Sequence, residues 1–404
     1  MVLAIIRRSW RSVRYRYALE DAILFVAVSS LFWTQPVRAA DIEVQVKGNE
    51  TVEHDSNPLL LQTGGRPSIG SITSPEVLMS GDTPTLHGDI DNLLNVNEYN
   101  LANFSSVDYH GNFHTSAKGL STFAGLNGSL DYDTTRTSEL LTSGINIAGI
   151  RHTGISLTPQ AGINLSPVDE TFVNGVFSHT LYSNTVSFTD FSDYGVTPAY
   201  QHTFDPLNTG ALLFNVNRYQ TTNTAPVRID TLGPSVEWIR KFTQEFSVTA
   251  TAGYQKTIST LPPFFPPPTT HERYDYTYSV NAAFTGQQDV IHFVSTRSSV
   301  PSGNGTETLA TNFTLTESHT ITTRWVAELN ATYQTQAYSV QATGNQSAYM
   351  SISPDLRYHI TPNFDLVPSY RYRDKEFVGG ATSVSSQAVF ISLVFNSTKA
   401  DLGW

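Results

Sequence analysis

WVAELNATYQTQAYSVQATGNQSAYMSISPDLRYHITPNFDLVPSYRY, residues 325–372, decides how this chain folds. Every second residue belongs to one row. Trp325, Ala327, Leu329, Ala331 and Tyr333 alternate with Glu328, Asn330, Thr332 and Gln334. Met350, Ile352, Pro354, Leu356, Tyr358 and Ile360 alternate with Ser351, Ser353, Asp355, Arg357 and His359. Phe364, Leu366, Pro368, Tyr370 and Tyr372 alternate with Asp365, Ser369, Arg371 and Arg373. A period of two means strands with one apolar and one wet face. No helix-forming segment is at hand to cover the apolar faces. A bilayer can cover them, and the sheet must then close so that no edge is left unpaired.

Composition agrees. The chain has 404 residues and no cysteine, which excludes disulfides and thiolate metal sites. Hydrophobic residues make up 39% and mean hydropathy is -0.20, which excludes a helical membrane bundle. Charged residues are 15%, against roughly 25% in soluble chains. Tyr, Ser, Thr, Asn and Gln replace them, as in a polar, weakly charged lumen. The formal charge is -11, and without residues 1–39, which carry six Arg, one Glu and one Asp, it is -15. An acidic chain with no basic stripe argues against nucleic acid.

Residues 1–39 read as a secretory signal peptide. Arg7, Arg8, Arg11, Arg14 and Arg16 precede the apolar run Ala22–Trp33, which is too short to span a bilayer, and Val37-Arg38-Ala39 offers a cleavage site. Residues 40–404 form the second unit, an all-β, up-and-down antiparallel transmembrane barrel. Segment counting predicts eighteen strands, with sixteen as the alternative, and an even count returns both termini to one side. The stretch 134–150 reads either as a long loop or as a further strand pair. From Pro167 onward short and long connections alternate, with Ser298–Thr306 among the long ones. Barrels with short periplasmic turns and long outer loops show this pattern. In Tyr274, Tyr276, Tyr278, Val280, Ala282 and Phe284, small apolar residues lie mid-strand and aromatics toward the ends. That predicts a lipid band with aromatic girdles.

Three short copies of one pattern run into turns: PQAGINLS at 159–166, PSVEWIRKFT at 234–243 and PDLRYHIT at 354–361. PAYQHTF, starting at Pro198, is a looser copy, and Arg136-Thr137-Ser138-Glu139-Leu140 and Arg151 precede the first. With these the chain resembles the outer-membrane β-barrel porins associated with exopolysaccharide and exosortase gene clusters. The resemblance covers most of 41–396 and implies a large Gram-negative outer-membrane barrel without established catalytic residues. Such barrels finish on an aromatic signal for the barrel-assembly machinery. Val389, Ile391, Leu393 and Phe395 provide an internal version, with Trp404 as the alternative. Prolines within strands remove ladder donors, so local bulges are expected at them.

Candidate pore-lining residues are Glu328, Asp355, Arg357, Asp365, Arg371 and Arg373. They read either as a charged wall that sets ion preference or as mutual neutralisation. Phe264 and Phe265, in the proline-rich loop 261–269, are the constriction candidates. His114, Ser116 and Asn127 mimic a hydrolase set, but share their face with His110 and Asn112 and therefore read as lumen. The histidines show no metal-ligand spacing, and no cofactor is expected. Expected partners are outer-membrane lipid, the assembly machinery and polysaccharide-secretion components. The reading is a pore for passive diffusion of small polar solutes. Its alternatives are a non-conducting surface barrel for adhesion or docking, and a barrel hydrolase.

Overall fold

The computed structural model describes residues 41–401 except 102, 140–146, 148, 184–185, 223–225, 261–269, 304, 339–345 and 377–382. The signal peptide, Phe264, Phe265 and Trp404 lie outside the described residues.

Eighteen long strands follow one another. They are β1 Asp41–Asp55, β2 Ser68–Asp82, β3 Leu86–Tyr99, β4 Ser106–Lys118, β5 Thr122–Thr134 and β6 Arg151–Asn164. Next come β7 Asp169–Tyr182, β8 Phe191–Asp205, β9 Asn208–Thr221, β10 Arg228–Lys241, β11 Phe246–Thr260 and β12 Thr270–Thr285. The last six are β13 Asp289–Ser302, β14 Thr306–Thr320, β15 Trp325–Tyr338, β16 Gln346–Thr361, β17 Phe364–Glu376 and β18 Ser383–Asn396. A two-residue β19, Ala400–Asp401, ends the series, and one helical turn, α1 (Thr135–Ser138), follows β5. Among the described residues of 134–150 there is one helical turn and no extra strand pair. Sixteen strands are excluded.

Each strand pairs antiparallel with its sequence neighbours, and β1 pairs with β18 from Lys47↔Asn396 to Asp55↔Ala388. β19 prolongs this seam against Glu43 and Val44. The sheet is therefore a closed cylinder without an edge. Even-to-odd connections are two to four residues long, so one rim is made of tight turns. The other rim carries the longer loops. One exception departs from the sequence reading: β13 and β14 extend so far that only residues 303–305 separate them.

The polarity of the wall is inverted relative to a soluble protein. Leu212 (61% exposed), Tyr276 (59%) and Ile391 (57%) face outward, while Asp55 (0%) and Asp108 (3%) face inward and are buried. Apolar residues on this scale leave the inside only when the outside is apolar too. Aromatics gather toward both rims. Trp325 packs on Tyr358 at 4.6 Å and Phe364 on Phe395 at 5.1 Å near the tight turns. Near the loops, Tyr254 stacks on Tyr274 at 6.0 Å, and Arg297 lies 4.4 Å over Tyr276. A cation there keeps its head at the interface while its stem covers apolar surface. Val280 sits between these belts, on the outer row of β12. Val280→Arg is expected to cost about 2–4 kcal/mol, as a cation does at the midplane of a barrel. Urea unfolding in lipid vesicles, followed by tryptophan fluorescence, reads this out.

The strand prolines do not make bulges. The β10–β11 ladder skips from Leu232↔Lys256 to Ser235↔Gly253 around Pro234 and keeps its register. The same skip without slippage occurs beside Pro75, Pro159, Pro198 and Pro354. A proline nitrogen faces only one neighbour, so only one ladder loses a rung. On the other side pairing is continuous, as in Pro234↔Phe214. The register shifts lie elsewhere, at 203/205 and 359/361 beside tight turns.

Candidate functional site

The six charged residues predicted to line a pore occupy the inner face of β15, β16 and β17, but they form two groups rather than one wall. Toward the tight-turn rim, Arg357 reaches Glu328 at 3.1 Å and Asp365 at 3.2 Å, and His359 Nδ1 lies 2.6 Å from Asp365. Asp355 stands directly opposite Glu328. One arginine thus faces three carboxylates, and this zone is acidic.

Toward the loop rim, Arg371 and Arg373 turn away from that group to Asp55 of β1, at 3.4 and 2.5 Å. Ser386 of β18 donates to the same carboxylate. Arg373 also donates to the carbonyl of Pro58 in the β1–β2 loop at 3.4 Å. The sequence could not show this. Asp55 lies 318 positions from Arg373, and only closure of the cylinder puts β1 beside β18 and two strands from β17.

The lumen narrows under the loops at a place the sequence reading missed. Pairing between β12 and β13 stops at Tyr278↔Arg297, while β13 and β14 stay paired to Ser302↔Thr306. The freed hairpin, Ser298–Glu307, crosses toward the inner faces of β7, β9 and β10. Tyr219 Oη of β9 donates to the Ser302 carbonyl at 3.0 Å. The Thr189 N–H donates to the Gly303 carbonyl at 2.8 Å. Glu307, 1% exposed, accepts from Ser299 at 2.7 Å and from Thr231 of β10 at 3.4 Å. Position 303 must be glycine, because a Cβ there would meet Tyr182 Oη at 2.5 Å and Phe188 at 2.9 Å. Gly305, with φ +77°, closes the turn.

The hairpin meets an apolar cluster of Ile150, Tyr182, Phe188, Phe191, Tyr219 and Ile229. Phe188 stacks on Tyr182 with ring centroids 4.9 Å apart. Tyr182 donates its hydroxyl to Glu139, beyond α1. A packed core therefore sits inside the barrel mouth, where sequence reasoning expected water. The sequence signal was faint: these residues are scattered over strand ends and two loops, and only the tip glycines hint at close approach.

His114 and Asn127 come together at 2.5 Å, Nδ1 to Oδ1. Both line an inner-wall cavity of about 350 Å³ with Asp89, Asp91 and Asn112. The cavity opens to the lumen, where a lipid substrate would not reach it. Ser116 is not in its lining, and Asn127 holds His114 through Nδ1. The histidines show no metal-ligand spacing along the sequence, but their proximity in the fold is a separate matter. The fold brings ligand atoms of His87, Asp89 and His114 within 4.8 Å of one another.

Neither a family model nor a curated protein matches the chain. Among solved structures it is similar to OccAB4 of Acinetobacter baumannii, at 9% identity, TM-score 0.47, covering 91% of this chain and 100% of that one. It is similar to the FrpB iron transporter of Neisseria meningitidis at 9% identity, TM-score 0.46, covering 90% and 82%. OpdK of Pseudomonas aeruginosa, solved with vanillate, follows at 8% identity, TM-score 0.45, covering 89% and 99%. Likeness at this level carries no functional argument. The barrel stands on the pairings described above.

Proposed function

We propose that this chain is a porin-like barrel of the Gram-negative outer membrane that passes small polar solutes by passive diffusion. The observation that carries this reading is the combination of an apolar outer wall with a charged, hydrogen-bonding inner wall crossed by an inward-folded hairpin. Barrels of this strand number enclose a space too wide for side chains to fill. Selectivity then rests on pore width and wall charge rather than on tight binding. Loops and charged lumen groups set both here. Contact with the assembly machinery through the outward row Val389, Ile391, Leu393 and Phe395 belongs to the same proposal. A link to polysaccharide secretion rests on the sequence resemblance alone.

One observation favours a second reading. The aromatic cluster at the mouth occupies space that an open channel would use, as in a non-conducting surface barrel. Planar-bilayer recording separates the two. Discrete current steps from folded protein are the expected result. A silent bilayer, with folding verified by slow migration of the unboiled protein on gels, overturns the pore and leaves the surface barrel.

A further inference from the structure

His87 and Asp89 are two residues apart on β3, so both point into the lumen. Register places His114 of β4 directly opposite Asp89, and Asn127 of β5 directly opposite His114. This is the only group of three metal-ligating side chains so arranged among the described residues. It lies near the tight-turn rim, away from the hairpin and the charged groups of β15 to β17.

The orientation of the two imidazoles sets the group apart from ordinary wet lumen residues. His87 Nδ1 is held by Asp82 Oδ1 at 2.6 Å, and His114 Nδ1 by Asn127 Oδ1 at 2.5 Å. Both oxygens are acceptors, so each Nδ1 carries the hydrogen and each Nε2 keeps its lone pair. His87 Nε2 lies 3.6 Å from Asp89 Oδ2. Around a tetrahedral zinc with bonds of about 2.0–2.2 Å, ligand atoms stand about 3.4 Å apart. The ring centroids are 5.8 Å apart, and one ligand atom from each of the three residues lies within 4.8 Å of the others. Oxygen acceptors behind metal-binding histidines fix the tautomer and raise ligand basicity, and here both histidines have one.

Asp89 and His114 also line the 350 Å³ cavity, which leaves room for water or a solute at an open coordination position. Asp91 lines the same cavity, and its Oδ1 is buried without a hydrogen-bond partner. Its carboxylate adds to the attraction for a cation. We infer that His87, Asp89 and His114 form a lumen-side site for a divalent first-row transition ion of the zinc class, oriented by Asp82 and Asn127. Two imidazoles with one carboxylate suit such ions and not magnesium or calcium, which take oxygen ligands.

The test uses the tag-free, folded barrel in detergent at neutral pH. It is titrated with zinc chloride by calorimetry and with cobalt chloride by visible absorption. One saturable ion per barrel and a visible cobalt band are expected. Asn127→Ala should weaken zinc binding roughly 10–100-fold. His87→Ala and His114→Ala should abolish it, and His292→Ala, another histidine of the strand wall, should leave it unchanged. Unboiled gel migration checks folding of each variant, and His87→Gln replaces any that fails. Absence of saturable zinc binding, or equal binding by the His87 and His114 variants, overturns the inference.

Discussion

Asp55→Ala is expected to lower the unfolding free energy by about 3–5 kcal/mol, because it leaves a buried cation without its partner. Arg373 is 7% exposed and Asp55 is fully buried. The pair spans the seam, with Arg373 on β17, Ser386 on β18 and Asp55 on β1. Arg371 and the Asn57 N–H depend on the same knot, the first through Asp55 and the second through both Asp55 and Ser386. Glu328 and Asp365 are already engaged by Arg357. Guanidinium unfolding in detergent micelles measures the loss. The double variant Asp55→Ala, Arg373→Met should recover most of it, because an apolar replacement removes the stranded charge as well as the pair. A single-variant loss below 1 kcal/mol, well under the range for broken buried pairs, would show that water screens this pair despite its burial.

Removing the inward hairpin is the second change with a large expected effect. Ser298 pairs with Ala310, so residues 299–309 can be replaced by Asn-Gly, which closes a two-residue turn. The partners left behind, Tyr219 and Thr231, then face water that fills the vacated space. Single-channel conductance should rise severalfold, because the chord across the mouth is gone. A milder variant, Phe188→Ala, removes one face of the apolar cluster and should raise conductance by less. Unchanged conductance in the hairpin variant would place the narrowest point elsewhere. The two proteins must first show equal folded fractions by unboiled gel migration.

These two sites show what the sequence could and could not say. Alternation is a local property, and it counted the long strands: eighteen were expected and eighteen form the wall. The reason is physical, since bilayer and lumen impose opposite polarity on successive residues along each strand. Where one side is not lipid, the code fails. Ser298–Ser302 and Thr306–Ala310 form a hairpin that is wet or packed on both faces; the pattern marks 298–306 as a long connection but not its pairing or its inward path. Closure is equally invisible to local reading. Arg371 and Arg373 lie on the inner face, but their partner lies at the other end of the chain. The metal-ligating trio shows a third limit. His87 and Asp89 satisfy a two-residue spacing, but His114 joins them only through the register of β3 against β4.

The strand prolines carry a mechanical consequence. Pro75, Pro159, Pro198, Pro234 and Pro354 all sit on outward rows near mid-strand, and each deletes a rung without moving the register. A missing backbone bond removes about 0.5–1.5 kcal/mol of local stiffening at that height. The tube therefore has compliant joints around its waist, while every strand pair is bonded toward the tight-turn rim. Lateral pressure from the surrounding lipid would flatten its cross-section at the waist first, turning a circle toward an ellipse while the tight-turn end holds its shape.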